Sequence, residues 1–323
     1  MGHLTLSHLP QKGKKMKSKT INGTIKLNKS RKNWHEVVFL IIMMAVPVLY
    51  GIVYNLYLKF ATIRLMFSDK YGTGFGFYWV SWAIREAFTP NSPTIIALKN
   101  AFAIMIVFNG LGIPLQIVIA YFFFKKAPMT NLFRTLFYIP SLFSAVILSL
   151  VFGFMFDNTI GPITMLLRNL GVEIPLEGLF FAPDTAMPMI FVYIFWYTVG
   201  NAAFMITVAM LKIPESITEA ARIEGISNFK ELIYICVPMV SPVLSVMILT
   251  NVTLGFSIYA EVLLLTDPGQ SHVYTVAYLI NESAKQGKYF ESAGRGFVFT
   301  VVAIPLVVFV RWFFGKFLPD VSV

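Results

Sequence analysis

Six long apolar runs alternate with shorter polar stretches along the chain: Val37–Leu58, Ile95–Phe124, Leu132–Phe156, Ala186–Leu211, Ile233–Thr266 and Phe297–Leu318. Crossing a bilayer as a helix takes about 20 mostly apolar residues, so the pattern predicts an all-α membrane protein with six transmembrane helices. Several windows exceed that length, which predicts tilt, kinks or turns outside the membrane. Pro47, Pro114, Pro140, Pro188, Pro242 and Pro305 fall inside the windows. Membrane helices tolerate such prolines because neighbouring groups can satisfy the freed carbonyls. No internal repeat or low-complexity linker divides the apolar region. The economical division is a basic tail, residues 1–36, followed by one membrane domain, 37–323.

The polar interruptions differ in kind. Residues 74–88 are crowded with aromatics, among them Phe77, Tyr78, Trp79, Trp82 and Phe88; this suits an interfacial helix at headgroup level, with a stacking platform for a sugar as the sharper alternative. Residues 157–185 carry Asp157, Asn158, Pro162, Pro175 and Pro183 and read as an irregular cap with a short helix around 163–170. Such a cap offers a meeting surface for a delivery protein. Residues 212–238 are the one long polar interruption that also reads as helical. Pro214 can start a turn, and Ser216 with Glu219 forms a capping-box pattern. Ile217, Ala220, Ala221 and Glu224 share one helix face, where the paired alanines leave a low ridge open to close approach by another protein. Gly225 suits the left-handed residue that ends a helix, and Ser227 can cap a second short helix. A helix, a sharp bend and a second helix are therefore expected, leading into the span that begins near Ile233.

Composition agrees with the membrane reading. Of 323 residues 57% are hydrophobic and 13% charged, against about 25% charged in a soluble domain, and the mean hydropathy is +0.71. The net charge of +10 is local: residues 1–32 hold nine Lys/Arg and no acid, and the remaining 17 basic residues nearly balance the 16 acids. The tail is thus a topology signal or a contact for anionic lipid, and nucleic acid is not the indicated partner. With the N-terminus inside, 17 basic residues fall on the cytoplasmic side and nine on the other, which places both termini and the 212–232 loop in the cytoplasm. The first apolar run follows some 36 polar residues without a clear small-residue cleavage site, so it is expected to remain as a span. Residues 1–15 precede a second methionine, Met16, and are set aside from fold reasoning.

The chain offers little for catalysis. It has no phosphate-binding GxxxxGK[ST] loop, no metal-ligand cluster and no nucleophile with a partner base. Its four histidines, His3, His8, His35 and His272, lie outside the spans, and the single cysteine, Cys236, excludes an intramolecular disulfide. The fourth and fifth windows are richer. One holds Trp196, Tyr197, Thr198, Gly200, Asn201 and Thr207; the other holds Ser245, Thr250, Asn251, Thr253, Gly255, Ser257, Tyr259 and Glu261. Asn251, Gly255 and Tyr259 recur every four residues and would form a stripe on one face. Amides, hydroxyls and an aromatic ring are what a neutral polyol needs. The same residue types also glue helices together in lipid. The candidate substrate residues are Tyr197, Asn201, Asn251, Gly255 and Tyr259. Glu261 falls near a span end, where a carboxylate can be solvated. Lys285, Lys288 and Arg295 read as a solvated basic loop in preference to a site for an acidic glycan.

The loop also resembles a known family. Glu219-Ala220-Ala221, three residues, Gly225, nine residues and Ile235-Cys236-Val237-Pro238 is similar to the EAA loop of permease subunits of ATP-binding-cassette (ABC) importers, in the carbohydrate-uptake branch of the maltose and glycerol-phosphate type. Glu224 stands where that branch usually has aspartate, and Val237 where leucine is common. EVLLLTDPGQ, from Glu261, resembles the LLTGGGP segment of sugar permeases but keeps only Gly269 of its glycine run. The likeness runs from about Ile95 to the C-terminus. It implies a cytoplasmic coupling helix docking on an ATPase through Glu219, Ala220, Ala221, Arg222 and Gly225. It further implies a second, similar permease subunit, two ATPase subunits that bind ATP and Mg, an extracytoplasmic sugar-binding protein and a carbohydrate substrate, with no cofactor and no enzymatic activity in this chain. The membrane would be the bacterial cell membrane. An ABC permease for another solute, an ion-coupled secondary transporter and a non-transporting scaffold are the rivals; the sugar itself is not identified by these residues.

Overall fold

A computed structural model of the chain describes residues 34–267, 269 and 271–317. The basic run 1–32, Pro268, Gln270 and the end of the sixth window at Leu318 lie outside the described residues. The chain separates into two compact units, Met1–Tyr57 and Leu58–Val323. In the first, α1 (Trp34–Tyr50) contains Pro47 and passes into a π-turn, Gly51–Tyr57. Proline removes a helical donor, and a widened turn is one way for a helix to absorb such a break.

Among the described residues of the second unit, all regular structure is helical apart from one isolated bridge between Ser68 and Phe75. The unit opens with α2 (Leu58–Met66) and α3 (Tyr78–Phe88), then α4 (Pro93–Val107). Ser92 caps α4 by accepting from the Ile95 N–H, and Pro93 occupies the first turn, where its missing donor costs nothing. A π-turn, Phe108–Gly112, joins α4 to α5 (Ile113–Phe124). Left-handed Lys126 and Met129 reverse the chain into α6 (Thr130–Tyr138). Pro140 sits in a 3-10 turn, Ile139–Leu142, before α7 (Ala145–Met155), and α8 (Pro162–Asn169) follows close to its expected place. The long α9 (Ala186–Met210) leads to α10 (Glu215–Ile223) and α11 (Asn228–Glu231). After a π-turn, Leu232–Cys236, come α12 (Val237–Met239), α13 (Ser241–Ser257), α14 (Ala260–Leu265), α15 (Val276–Lys285) and α16 (Tyr289–Phe317).

Among the described residues, four helical stretches are long and apolar enough to cross a membrane: Val37–Met66, Pro93–Phe124, Ala186–Met210 and Tyr289–Lys316. Two bent pairs bring the number to six if each is one span: Thr130–Leu142 with Ala145–Met155, bent by 111°, and Asn228–Met239 with Ser241–Ser257, bent by 78°. The third and fifth windows are therefore broken where one helix each was expected. Pro140 lies in the 3-10 turn just before the first break, at residues 143–144, and Pro238 and Pro242 flank the second, so missing amide donors stand beside both. The fifth window breaks again at Ile258, whose extended backbone (ψ 117°) separates α13 from α14.

Close backbone crossings hold the unit together. A Cβ on Gly200 would meet the Phe137 carbonyl, so α9 crosses α6 there. A Cβ on Gly255 would lie 2.6 Å from the Ala101 carbonyl oxygen, and one on Gly294 2.7 Å from that of Trp79. Small residues at crossings are the usual means of helix association in lipid. At one end Ala120, Phe123, Ile206, Met210, Leu232 and Val240 form a core beneath α10 and α11. Towards the other end Phe108, Phe152, Ile190, Tyr193 and Val262 form a second core.

Candidate functional site

The bent loop is built from backbone geometry. Pro214, with φ −56° and ψ 134°, sets the entry, and α10 starts directly at Glu215 without a side-chain cap. The expected capping box is not formed: Ser216 lies inside the first turn, because the proline has already fixed the entry conformation. At the far end Gly225 has φ +70°. Its N–H donates to the Arg222 carbonyl, and the Ile226 N–H to the Ala221 carbonyl, each at 3.0 Å. This pair of bonds is a Schellman close, which needs a left-handed residue at the position Gly225 fills. Ser227 then caps α11 through the Lys230 N–H.

Of the five loop residues expected to couple, Glu219, Ala220, Arg222 and Gly225 are exposed, whereas Ala221 is buried. Adjacent helical positions diverge by about 100°, so the two alanines do not form one outward ridge. The outward apolar surface comes from residues to which the motif assigns no contact: Ile223 is 88% exposed and Phe229 73%. Glu231, at the foot of the loop, is buried and paired with Lys125.

The five expected substrate residues do not converge. Asn201 is exposed on α9. Tyr197 is half-buried and donates its hydroxyl to Glu261 at 3.4 Å. Asn251 is half-buried and directs Nδ2 to the Phe108 carbonyl at 3.4 Å and to Asn109 Oδ1 at 3.5 Å, in the π-turn of the second span. Gly255 is buried in the α13–α4 crossing, a packing position. Tyr259 lies beyond the end of α13, so it leaves the stripe; its ring is 6.4 Å from Tyr278, which stacks on Tyr274 at 5.8 Å. Burial pushes the Tyr278 hydroxyl up to about 12, and a hydrogen bond with Tyr259 raises Lys285. The polar face that α13 turns outward is Thr250, Thr253 and Ser257. Each hydroxyl donates to a carbonyl three or four residues back in its own helix, which leaves oxygen lone pairs free to accept. Spacing i, i+3, i+7 was present in the sequence, but nothing there distinguished this face from the Asn251 face.

Two further expectations change. Glu261 is buried in the first turn of α14, away from the solvated position expected of it. Arg295 is also buried, because α16 begins eight residues before the sixth apolar window and carries it into the helix. Its guanidinium holds both Glu86 oxygens at 2.9 and 2.8 Å and Ser283 Oγ at 2.5 Å, and lies 5.0 Å over the Trp82 ring. Thr94 donates to the same carboxylate at 2.7 Å. Trp79 stacks on Phe290 at 5.9 Å. Both tryptophans of the aromatic segment therefore serve internal packing, and Phe75, Phe77, Tyr78 and Phe88 are the rings left exposed.

The sequence model of the binding-protein-dependent transport system inner membrane component matches residues 109–323. The chain belongs to this family. Among relatives, it is 24% identical to the lactose transport system permease protein LacF of Rhizobium radiobacter over 92% of this chain and 98% of that protein. It is 23% identical to the arabinooligosaccharides transport system permease protein AraP of Halalkalibacterium halodurans, over 73% and 75%. A probable ABC transporter permease protein, YurN of Bacillus subtilis, is 28% identical, but over 42% of this chain and 47% of that one. A solved chain from a bacterial alginate ABC transporter, in complex with an alginate pentasaccharide-bound periplasmic protein, shares the fold with a TM-score of 0.73 at 19% identity, over 90% of this chain and 99% of that one. The permease is thus a multi-pass membrane protein with the fold of an ABC importer subunit.

Proposed function

We propose that this permease is the membrane subunit of an ATP-driven importer for a carbohydrate, an oligosaccharide in preference to a monosaccharide, in the bacterial cell membrane. The observation that carries the reading is the bent loop 215–231. It is a polar helix with an exposed Ile223, closed by a left-handed glycine and set at the end of the apolar spans. A second, similar permease completes the path, two ATPase subunits bind ATP and Mg and seat the two loops, and an extracytoplasmic protein delivers the sugar. Both termini and the loop face the cytoplasm. The named substrates of LacF and AraP support a sugar as cargo, and the alginate complex supports delivery by a soluble protein. On the loop, Glu219 and Arg222 supply polar contacts, and Ala220 and Ile223 the close-fitting surface. In the path, Asn201 with Thr250, Thr253 and Ser257 offers hydroxyl and amide partners, and Asn251 holds the helix that presents them.

The test is a photoreactive residue at Ile223 in the assembled importer, together with uptake in proteoliposomes. Cross-linking to the ATPase subunit and ATP-dependent sugar uptake are expected. Uptake that proceeds without the ATPase, or a residue 223 that labels only lipid, would defeat the reading.

A further inference from the structure

Glu231 lies off the exposed surface proposed for docking and is among the most deeply buried charges of the described residues, 2% exposed at the end of α11. Lys125, just past α5, donates from Nζ to its two oxygens at 2.7 and 2.6 Å. Tyr121, one turn earlier on α5, donates its hydroxyl at 3.2 Å. The ammonium also stands 5.5 Å over the Tyr121 ring. One carboxylate thus receives two donors spaced i and i+4 on the last turn of the second span. Glu231 is buried and Lys125 only one-fifth exposed, so leaving the carboxylate without its partner is costly. An apolar contact at the same place could slide.

The position of the pair gives it a consequence. Directly after Glu231 the chain enters the π-turn Leu232–Cys236 and then the 78° bend. On that side the loop joins the rest of the unit through a widened turn and a kink, not through one continuous α-helix. On the other side α5 continues back through the π-turn Phe108–Gly112, where Phe108 and Asn109 meet Asn251 of α13. We propose that the Lys125–Glu231 pair, steadied by Tyr121, is the positioning contact that makes the bent loop move with the Pro93–Phe124 span. Displacement of the loop is then passed to the polar faces and is not absorbed at the bend. This rests on the docking of the loop to an ATPase, since a loop that meets no ATPase has nothing to transmit.

The experiment uses the complete importer, with the second permease, both ATPases and the binding protein, in proteoliposomes. Four forms are compared: Glu231→Gln, Lys125→Gln, the neutral Lys125→Gln/Glu231→Gln pair, and the exchanged Lys125→Glu/Glu231→Lys pair. The neutral pair leaves no buried charge alone, so it assembles where a single change fails to. The readout is sugar transported per ATP hydrolysed, with cross-linking from residue 223 measured in the same samples. Loss of the pair is expected to lower that ratio about fivefold or more, the usual range of a coupling energy, with cross-linking retained. The exchanged pair is expected to restore most of it. An unchanged ratio in the neutral pair, or an exchanged pair as poor as the neutral one, would overturn the proposal while leaving docking intact. Absence of cross-linking in the unaltered importer would instead remove the docking on which it stands.

Discussion

Gly225 is the position where a single substitution isolates backbone conformation from everything else. Its φ is +70°, and a Cβ built there meets nothing within 4 Å. Steric crowding by neighbours is therefore removed from the problem, and the cost of a side chain is the intrinsic cost of left-handed backbone. For an ordinary L-residue that is about 1–2 kcal/mol. Asparagine loses less because it visits this region readily, and a β-branched residue loses more. If the turn opens instead, the bonds from Gly225 to Arg222 and from Ile226 to Ala221 are lost, each worth about 1 kcal/mol net. The two routes give similar totals, so the bent form of the loop should fall about tenfold in population for each 1.4 kcal/mol.

The expected order of loss is thus Gly225→Asn, Gly225→Ala, Gly225→Val, with the asparagine form close to the parent and the valine form nearly inactive. The assay is ATPase stimulation by the sugar-loaded binding protein in the assembled importer, with membrane insertion checked by yield of the purified chain. Parent-like activity of the valine form would refute the reasoning, because it would mean that the loop does not need the left-handed turn. A uniform loss in all three would point to a side-chain clash with the ATPase in place of backbone strain.

The same contacts set the outcome of other substitutions. Gly255→Ala should lower thermal stability in detergent by about 1–3 kcal/mol, since its Cβ would overpack the Ala101 carbonyl; an unchanged melting temperature together with altered sugar uptake would return Gly255 to the path. Glu86→Gln should cost about 3–5 kcal/mol, because it strands the buried Arg295 guanidinium, and the measurement is the same melt. Thr253→Val should weaken sugar uptake while leaving the melt close to the parent, because its hydroxyl faces outward; a parent-like uptake would remove that face from the path. Backbone N–H groups of Ile160 and Thr159 hold the half-buried Asp157 carboxyl below its ordinary value of 3.8. Their contribution is present above that value and lost as pH falls through the lowered one, so protection of the amides of residues 159 and 160 from hydrogen exchange, relative to the intrinsic rate at each pH, should fall only below about pH 4.

Much of this architecture was legible because membrane helices announce themselves by length and apolarity. The six windows, the left-handed turn at Gly225 and the cap at Ser227 each depend on local chemistry that the chain states directly. What stayed hidden depended on which way a face points. In a soluble protein a polar stripe marks the outside, but in lipid it marks either a crossing or a path, and the residue types are the same for both. Gly255 and Thr253 sit two residues apart and illustrate this: one is pressed against the backbone of α4, and the other faces outward. The alanines of the loop divide in the same way, one buried and one exposed.

Charge misled for a related reason. Arg295, Glu86, Lys125 and Glu231 lie at the ends of apolar windows or between them, where solvation is the ordinary expectation. Each finds its partner 106 or 209 residues away, beyond any spacing rule. Pairing a buried member, Glu231 or Arg295, with a partly exposed one, Lys125 or Glu86, has a physical logic that becomes visible only in three dimensions. The apolar windows say where the lipid is, but a helix that must keep its angle to a neighbour while the whole unit changes shape needs contacts that do not slide. A hydrogen-bonded ion pair at each end of the bundle, one fixing α3 to α16 and the other fixing α11 to α5, supplies that resistance where greasy surfaces alone would slip. On the proposal made for Lys125 and Glu231, such pairs mark helices that move together, and the helix breaks after Leu142 and after Met239 lie outside those paired contacts.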